Sequence, residues 1–471
     1  MTKPARCTIF SLVLLLAGCT VGPNYHRPVV ALPAHYRELP DWAKAAPADA
    51  APKGDWWIGF NDPLLDKLEP LVVVSNETVR ADYASYEESR ALMQKAKGQF
   101  FPAVGLAGLA NRTHGAQGLS SSASAEGSAS WEIDLWGQIR RTVQESQATA
   151  QESQATLANA TLSEQAALAS DIIDLRVADA NIDLLQKTVT AYHASLRITE
   201  NQFAAGVAAP SDVITARTQL EGAQSNLINA SVARAEYEHA IAVLVGHLPE
   251  DFSIPRDTVL PGLPKIPIGI PSTLLERRPD IAADERAVAA ANAAIGVEVA
   301  AFYPTITLSA ADGFSGSPIG ALFTVGNQVW SLGTDAAIEV FEGGARSAAV
   351  AAAEDAYDAA VATYRGGVLT AFQQVEDDLA ILRILSQQAK VEEAAVSDAS
   401  RGVQIALNEY KAGTQSYTTV VTAQATLLGG QQAALSIRQQ RLLASVSLIE
   451  ALGGGWSSAQ LSGPLASDIL P

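Results

Sequence analysis

Asn201-Gln-Phe-Ala-Ala-Gly206 is repeated 207 residues later as Asn408-Glu-Tyr-Lys-Ala-Gly413, and this repetition indicates how the whole chain is organised. The same offset relates Thr215-Ala216 to Thr422-Ala423. A nearly constant offset between motifs in the same order indicates an internal duplication of about 200 residues, far longer than a solenoid repeat. Length alone, at 471 residues, would suggest roughly three domains. The duplication predicts one domain built from two halves. Two further pairs obey nearly the same offset: Phe100-Phe-Pro102 with Phe302-Tyr-Pro304, and Gly137-Gln-Ile-Arg140 with Gly343-Gly-Ala-Arg346.

Each half contains a stretch with the apolar spacing of a long coiled-coil helix. In the first half, apolar residues follow one another in steps of three and four from Leu168 to Phe203. The corresponding positions of the second half run from Val375 to Tyr410, and only Glu392 interrupts them. A seam of this kind, sustained for five heptads, predicts a helix that packs against neighbouring helices along its whole length.

The predicted long helices cover residues 138–202 and 345–410, which at 1.5 Å per residue makes each of them roughly 95–100 Å long. Gly206 and Gly413 follow their ends, where left-handed caps are typical. We expect the shorter helices of each half to stack end to end beside the long one, with Pro-rich segments at the junction. These shorter helices are predicted at residues 64–97, 212–245, 274–301 and 419–452.

Residues 101–136 and 303–341 separate the short and long helices of each half and are not helical in pattern. Both are rich in Gly and Ser at the centre, and apolar and polar residues alternate towards their ends. This predicts two β-hairpins. Strands of about 10 residues fit a transmembrane barrel, and a half-buried hairpin of a soluble protein is the alternative. Because four strands cannot close a barrel and open edges cannot lie in lipid, the membrane interpretation requires assembly with further copies.

The first nineteen residues have the pattern of an export signal. Lys3 and Arg6 precede an apolar stretch at residues 8–17, which is shorter than the roughly 20 residues that span a bilayer. Leu16-Ala17-Gly18-Cys19 resembles the bacterial signal at which the cysteine is lipidated; an ordinary secretory signal with an accidental cysteine is the alternative. By resemblance to sorting in Gram-negative bacteria, Thr20 favours the outer membrane. We predict a covalent lipid at Cys19 as a stable anchor, and no cofactor.

Composition excludes several classes of protein. Lys+Arg 32 against Asp+Glu 50 gives a formal charge of −18, which argues against nucleic-acid binding. The six His and two Cys are scattered without metal-ligand spacing, so no metal site is predicted. No Gly-Lys-Ser/Thr follows the Gly-rich stretches, so a phosphate-binding loop is absent from the sequence. Without an acid-base cluster, we predict that the chain is not an enzyme.

Five motifs carry a resemblance to a known family. The sequence resembles the TolC-like outer membrane factors, and among them the NodT-type lipoproteins that serve resistance-nodulation-division efflux pumps. The resemblance implies a mainly α fold with a membrane β-barrel portion, in which three copies join a 12-strand β-barrel to a 12-helix α-barrel. It also implies docking to a periplasmic adaptor and an inner-membrane pump. The motifs are Cys19-Thr-Val-Gly-Pro-Asn-Tyr-His-Arg-Pro28, Trp56-Trp-Ile-Gly-Phe-Asn-Asp-Pro-Leu64, Trp131-Glu-Ile-Asp-Leu-Trp-Gly137, Leu274-Leu-Glu-Arg-Arg-Pro-Asp-Ile281 and Tyr410-Lys-Ala-Gly413.

The resemblance also assigns roles to individual residues. Gly206 and Gly413 mark the helix-hairpin tips, which form the periplasmic entrance, and adaptor contact is expected at both glycines and at Tyr410 and Lys411. The gate is expected just beyond the tips. Relatives often have an acidic residue where Thr422 stands, so an acidic gate at this level is in question. Asp212 could belong to the gate or cap the helix after Pro210. The gate residues implied are Asp212, Tyr417, Thr418 and Thr422.

On this interpretation the chain is a passive exit duct that conducts small molecules from the periplasm across the outer membrane of a Gram-negative bacterium. It is anchored by lipid, contacts outer membrane lipid and extends into the periplasm. The alternatives are the outer membrane channel of a type I protein secretion system and a structural lipoprotein without a channel. The predicted segments are a signal peptide (1–18), a lipid-anchored extended segment (19–63), a first repeat (64–247), a Pro-rich linker (248–273), a second repeat (274–452) and a tail (453–471).

Overall fold

The computed structural model describes residues 20–30, 33, 36–38, 55–116, 118–266, 277–317 and 319–461. The expected signal peptide, Cys19, the end of the Pro-rich linker and the last residues of the tail lie outside this part of the chain.

Two very long helices dominate the described residues, and each has 67 residues, or about 100 Å. The prediction of both long helices is confirmed, with their ends within two residues of the expected positions. Within the described residues no helix is both long and apolar enough to cross a membrane. The helices are α1 (Pro63–Ser75), α2 (Glu77–Gly98), α3 (Gln138–Ala204), α4 (Pro210–Leu244), α5 (Pro279–Ala300), α6 (Ala345–Lys411) and α7 (Tyr417–Ala451), and the strands are β1 (Ala103–Gly115), β2 (Gly118–Glu132), β3 (Thr305–Gly316) and β4 (Gln328–Ala337).

The prediction of one helix over residues 64–97 is wrong, because Asn76 divides it into α1 and α2. Asn76 has extended backbone angles, and its Oδ1 accepts the backbone N–H of Val79 at 3.1 Å. Its Nδ2 donates to Glu164 of α3 at 2.9 Å and to the Leu244 carbonyl of α4 at 3.1 Å. The break therefore joins three helices. The described part of α5 begins at Pro279 rather than at residue 274, and a proline is suited to the first helical position.

The short helices stack end to end along the long ones, as predicted. α2 and α4 follow each other along one side of α3, while α5 and α7 follow each other along the other side and also contact α6. The end of α4 meets the junction of α1 and α2 through the Asn76–Leu244 bond. The start of α5 meets the end of α7 where Arg278 Nη1 donates to the Ala451 carbonyl at 3.1 Å. The order across the layer is therefore α2/α4, α3, α5/α7 and α6.

The predicted seam is buried along most of α3 but only along parts of α6. In α3 it is buried from Leu168 to Leu196, apart from a partly buried Val189, and Phe203 at the tip is 47% exposed. In α6 it is buried from Val375 to Leu385 and then only partly buried until residue 406. The single chain therefore leaves the seam uncovered from about residue 386 to residue 405 of α6. The physical reason is that α6 is the last helix of the layer and has neighbours on one side only.

The two hairpins form one antiparallel sheet in the order β1-β2-β3-β4. The β2–β3 pairing, for example Ala129 opposite Ala310, joins the two halves of the chain. The strands end at Glu132 and Ala337, so the predicted hairpin segments 101–136 and 303–341 extend a few residues too far at their C-terminal ends. Within the strands the pairing gives the sheet one apolar face, on which Val104, Leu106, Ala125, Ala129, Trp131, Ile306, Leu308, Phe314, Trp330 and Leu332 lie, and a second face rich in Ser and Thr.

An extended N-terminal segment lies along one face of the helical layer. It starts beside the sheet, where the Val21 N–H donates to the Trp136 carbonyl at 3.0 Å and Arg141 Nε donates to the Val21 carbonyl at 3.1 Å. Further along the layer, the carboxylate of Glu376 accepts the backbone N–H groups of Arg37 and Glu38 at 2.7 and 3.0 Å. This segment therefore follows α3, α5 and α6 from the sheet to the middle of the helices.

Residues 248–266 cross the middle of the layer. Arg234 Nη2 donates to the Ile254 carbonyl at 2.6 Å, and the Asp257 N–H donates to Asp179 of α3 at 3.0 Å. Arg176 and Asp179 of α3 both bond Asp257 of this segment, so they mark the side of the layer that the segment covers. Arg141 contacts the N-terminal segment and Arg176 pairs with Asp62 and Asp257. We call this covered side the outer face of the layer and the opposite side its inner face.

Candidate functional site

Both hairpin tips have the same backbone geometry. Gly206 follows α3 with φ +75° and Gly413 follows α6 with φ +73°. At the first tip the Gly206 N–H donates to the Phe203 carbonyl at 2.9 Å and the Val207 N–H to the Gln202 carbonyl at 2.8 Å. The second tip repeats these bonds one repeat later. This pair of bonds is the Schellman motif, which ends a helix at a left-handed residue and reverses the chain.

The two tips differ in the chemistry of their surfaces. The first tip exposes apolar side chains, with Val207 and Ile214 each 66% exposed. The second tip exposes Lys411 and a polar run from Thr414 to Ser416. The two repeats therefore share the backbone conformation of the tip but differ in the side chains exposed there. Each chain has two chemically different contact surfaces at the hairpin-tip end of the helical layer.

Just above the tips, two buried tyrosines join the hairpins. The rings of Tyr410 on α6 and Tyr417 on α7 lie 5.2 Å apart at 58°, and they are 4% and 1% exposed. Gln202 Nε2 of α3 donates to the Tyr410 carbonyl at 3.1 Å. The Tyr417 hydroxyl donates to Gln219 Oε1 of α4 at 3.4 Å. Each hydrogen bond crosses from one hairpin to the other.

A second line of polar contacts continues from Gln219. Its Nε2 donates to Gln424 Oε1 of α7 at 3.3 Å, and Gln424 Nε2 donates to Ser195 Oγ of α3 at 2.9 Å. Gln424 is 5% exposed and lies among apolar residues that include Leu220 and Val420. A buried amide loses its hydration on folding and is stable only while its partners are present. We call Ser195, Gln219, Tyr410, Tyr417 and Gln424 the hairpin lock.

The tyrosine hydroxyls of the hairpin lock stay protonated at physiological pH. Burial raises the pKa of Tyr417 to about 12, and the neighbouring Tyr410, Tyr192 and Asp212 add to this effect. Burial also raises the pKa of Tyr410. A neutral phenol can donate its hydrogen bond, so Tyr417 keeps its bond to Gln219 over the pH range in which a cell lives.

The structure divides the residues predicted for the tips and the gate. Tyr410, expected at the adaptor contact, and Tyr417, expected at the gate, are both buried between the hairpins, whereas Lys411 is exposed. Thr418 and Thr422 are exposed one helical turn apart on α7, and Thr422 Oγ1 donates to the Thr418 carbonyl at 3.0 Å. The two threonines therefore lie on the surface of α7 and outside the lock.

Asp212 does not cap α4, which corrects the alternative considered for it. The N-cap residue is Ala209, without a side-chain bond, and Pro210 occupies the first helical position. Asp212 lies in the first turn, where a negative charge is favoured by the helix dipole. Its carboxylate is close enough to raise the pKa of Tyr410 and Tyr417, so it borders the hairpin lock.

Comparison with known proteins decides the family. The family model described as outer membrane efflux protein matches residues 71–247 and 270–454, which are the two halves of the duplication. The chain belongs to the outer membrane efflux protein family. This is a family of channels rather than of enzymes, and its members work in the outer membrane.

Named relatives of this family match over nearly the whole chain. The probable efflux pump outer membrane protein TtgC of Pseudomonas putida is 30% identical over 467 residues, which cover 97% of this chain and 96% of TtgC. The solvent efflux pump outer membrane protein SrpC of Pseudomonas putida is also 30% identical, over 95% of this chain and 98% of SrpC. The solved outer-membrane channel OprN superposes with a TM-score of 0.86 at 28% identity, covering 93% of this chain and all of OprN. This efflux protein is therefore the outer membrane component of an efflux pump.

Sequence reasoning did not find three members of the hairpin lock in this efflux protein. Ser195, Gln219 and Gln424 lie far apart in sequence, and each is an ordinary residue for a helix surface. One signal was present, since Gln424 follows Val420 by four residues on the apolar side of α7. A polar residue at such a position indicates a buried hydrogen-bonded partner.

Proposed function

We propose that three copies of this chain form the exit duct of a tripartite pump of the resistance-nodulation-division type, anchored in the outer membrane by lipid at Cys19. The observation that carries the proposal is the pair of matching open edges in the single chain. Among the described residues, β1 has a strand neighbour on one side only, and so does β4. α2 and α4 end the helical layer on the β1 side, and α6 ends it on the β4 side.

Assembly would satisfy both edges at once. An unpaired strand edge presents free backbone N–H and C=O groups that lipid cannot satisfy. A neighbouring copy would pair its β1 with β4 of this chain and would cover the half-exposed seam of α6 with its α2 and α4. The apolar sheet face supports a position in lipid, since Leu106 and Leu332 are 91% and 78% exposed.

The size of a duct argues for three copies rather than two. Two four-stranded sheets would close an eight-stranded barrel, whose interior side chains nearly fill it. Twelve strands enclose a wider lumen, and the Ser- and Thr-rich face of this sheet suits a water-filled one. The family resemblance implies the same number.

The position of Thr20 supports a lipid on the preceding residue. A side chain at Gly137 would come within 2.9 Å of the Thr20 Cα, so the two backbones are in close contact. Gly137 lies between the end of β2 and the start of α3. An acyl chain on Cys19 would therefore enter the membrane at the level where the strands end.

The mass of the intact assembly tests stoichiometry and lipidation separately. For the wild-type chain in detergent, native mass spectrometry is expected to give three chains, each carrying the added mass of the acyl groups. Cys19→Ser is expected to give three chains without that mass, because the interface is made by strands and helices. A monomer in both samples would contradict the trimer, and a wild-type chain without added mass would contradict the lipid anchor alone.

In the proposed duct the hairpin lock holds the periplasmic end closed. The lock ties α3 and α4 to α6 and α7 near the tips, so any separation of the hairpins has to break its hydrogen bonds. The adaptor would dock on the tips around Val207, Lys411 and Gly413 and supply the free energy for that separation. The inner-membrane pump would select the compounds, and energy would come from the pump.

Gln424→Leu is expected to make the duct leaky. The change leaves Gln219 and Ser195 without their partner and removes about 1–3 kcal/mol from the closed arrangement, a shift of roughly fivefold to 150-fold towards the open one. Sensitivity to vancomycin in cells without the partner pump measures the leak. The matched control is Gln440→Leu, since Gln440 is exposed on the same helix, and within the described part of the chain its side chain bonds Ser436 one turn away. Equal sensitivity in cells with either variant would contradict the lock.

A further inference from the structure

A cavity of about 240 Å³ lies between α3, α4 and α7, and nothing in the proposed closing mechanism uses it. Its walls combine apolar side chains with a few polar groups. Val177 of α3, Ala233 of α4 and Leu435 of α7 supply apolar surface, and Asp174, Tyr237 and Gln439 supply the polar groups from the same three helices. A concave apolar site with a few convergent polar groups is the usual form of a small-molecule site.

The cavity opens on the inner face of the helical layer. Arg176 and Asp179 of α3 point to the outer face, where they bond Asp62 and the 248–266 segment. Successive residues of an α-helix are rotated by about 100°. Asp174 therefore points roughly opposite to Arg176. In the proposed duct, the inner face is the one that lines the lumen.

The polar end of the cavity carries negative charge that no neighbour balances. Gln439 Nε2 donates to Asp174 Oδ1 at 2.8 Å. Asp171 lies one turn away on the same side, and burial together with the charge of Asp174 raises its pKa to about 6. Among the described residues neither carboxylate has an ion-pair partner. The two acids are thus held close together in a half-buried place where a positive charge would be stabilised.

Tyr237 faces these acids from the opposite helix. Tyr237 lines the same cavity as Asp174. Burial raises the pKa of its hydroxyl, and the charges of Asp174, Asp171 and Glu236 raise it further, which is consistent with a hydroxyl close to the α3 carboxylates. An aromatic ring attracts a cation through the negative charge of its face. Carboxylates and an aromatic ring at one end, and apolar walls at the other, are complementary to an organic cation rather than to a hydrated inorganic ion.

We propose that this cavity binds organic cations, with the charged group between Asp174 and Tyr237 and the apolar body against Val177, Ala233 and Leu435. Asp171 lies beside the cavity and adds negative charge near Asp174. The binding itself needs only the geometry of the three helices. Its consequence rests on the proposed function: three such cavities in the wall would raise the local concentration of cationic compounds in the duct. The duct would then conduct cationic aromatic compounds better than neutral ones of the same size.

Benzyltrimethylammonium is a suitable probe because its charge is fixed and its size fits the cavity. Binding to the purified full-length protein in detergent is measured by isothermal titration calorimetry, with benzyl alcohol as the neutral comparison. Asp174→Asn is expected to weaken binding about tenfold, which corresponds to 1.4 kcal/mol. Tyr237→Leu is expected to weaken it about two- to fivefold, while the wild type should bind benzyl alcohol more weakly than the cation.

Asp183→Asn is the matched control, because Asp183 is on the same helix, outside the cavity, and pairs with the exposed Lys187 at 2.6 Å. It should leave binding nearly unchanged. Equal weakening by Asp174→Asn and Asp183→Asn, or no binding of the cation by the wild type, would overturn the site. Native mass spectrometry of each variant shows that it still assembles. If the protein binds the cation but does not support efflux in cells, the binding site is supported and the proposed exit-duct function is contradicted.

Discussion

Gly246→Ala is expected to destabilise the folded chain by about 3–5 kcal/mol, through backbone strain and overpacking together. Gly246 follows the end of α4 with φ +73°, a conformation that an L side chain adopts only with strain. A Cβ there would also clash with the carbonyl oxygen of Ser75 and lie 2.9 Å from its Cβ. Ser75 ends α1 and Asn76 holds the Leu244 carbonyl, so neither side can move without disturbing the helix junction. The midpoint of thermal unfolding in detergent measures the effect.

Gly206→Ala is the matched control for this prediction. Gly206 follows α3 with a similar φ of +75°, but no atom lies within 4 Å of its would-be Cβ. It should therefore cost only the backbone strain, about 1–2 kcal/mol. If the two variants unfolded at the same temperature, close packing at the α1–α4 junction would be refuted as the source of the larger effect.

Glu69→Leu is expected to stabilise the chain by roughly 3 kcal/mol at pH 7, which follows from linkage between ionisation and folding. The side chain of Glu69 in α1 is fully buried, and no described residue forms a hydrogen bond with either carboxylate oxygen. It lies in the core that Leu65, Leu68 and Val72 form with α3, α4 and α7. Burial raises its pKa from 4.5 to about 9, so folding at pH 7 has to neutralise a carboxylate that is ionised in the unfolded chain.

The pH dependence distinguishes this explanation from simple gain of apolar burial. The folded-state pKa of Glu69 lies above the unfolded one, so its penalty is absent below pH 4.5 and grows by about 1.4 kcal/mol per pH unit until about pH 9. The advantage of Glu69→Leu should therefore be small at pH 5 and larger at pH 8. Chemical denaturation in detergent at both pH values measures it, with the exposed Glu88→Leu of α2 as control. An advantage that is the same at both pH values would refute a buried uncompensated carboxyl.

The long helices could be predicted from the sequence because their signals are local. Gly206 and Gly413 end α3 and α6 through a left-handed backbone conformation at the glycine itself. This cap does not depend on contacts with distant parts of the chain. The spacing of apolar residues from Leu168 onwards reports the helical period directly. The position of Asn76 could not be predicted in this way. An Asn inside a helical pattern is tolerated, and its break depends on Glu164 and Leu244, which are distant in sequence.

The candidate site was predictable only in part, for the same reason. The tips, Lys411 and the region of Tyr417 follow from the repeat and from the family resemblance. The division between buried Tyr417 and exposed Thr418 and Thr422 depends on which face of α7 meets α3 and α4. The cavity at Asp174 likewise needs three helices that are brought together from different parts of the chain.

Sequence patterns alone were enough to predict the internal duplication, the two helices of about 100 Å, the hairpin tips and strands with one apolar and one polar face. Each of these depends on residues within one element, or on the likeness of two halves. Only the tertiary structure decided that β2 pairs with β3, that Asn76 divides a helix and that Gln219 and Gln424 join the hairpins. It also decided that Asp174 and Tyr237 share a cavity. These features depend on contacts between residues far apart in sequence. The spacing of apolar residues within a single helix or strand does not determine such contacts.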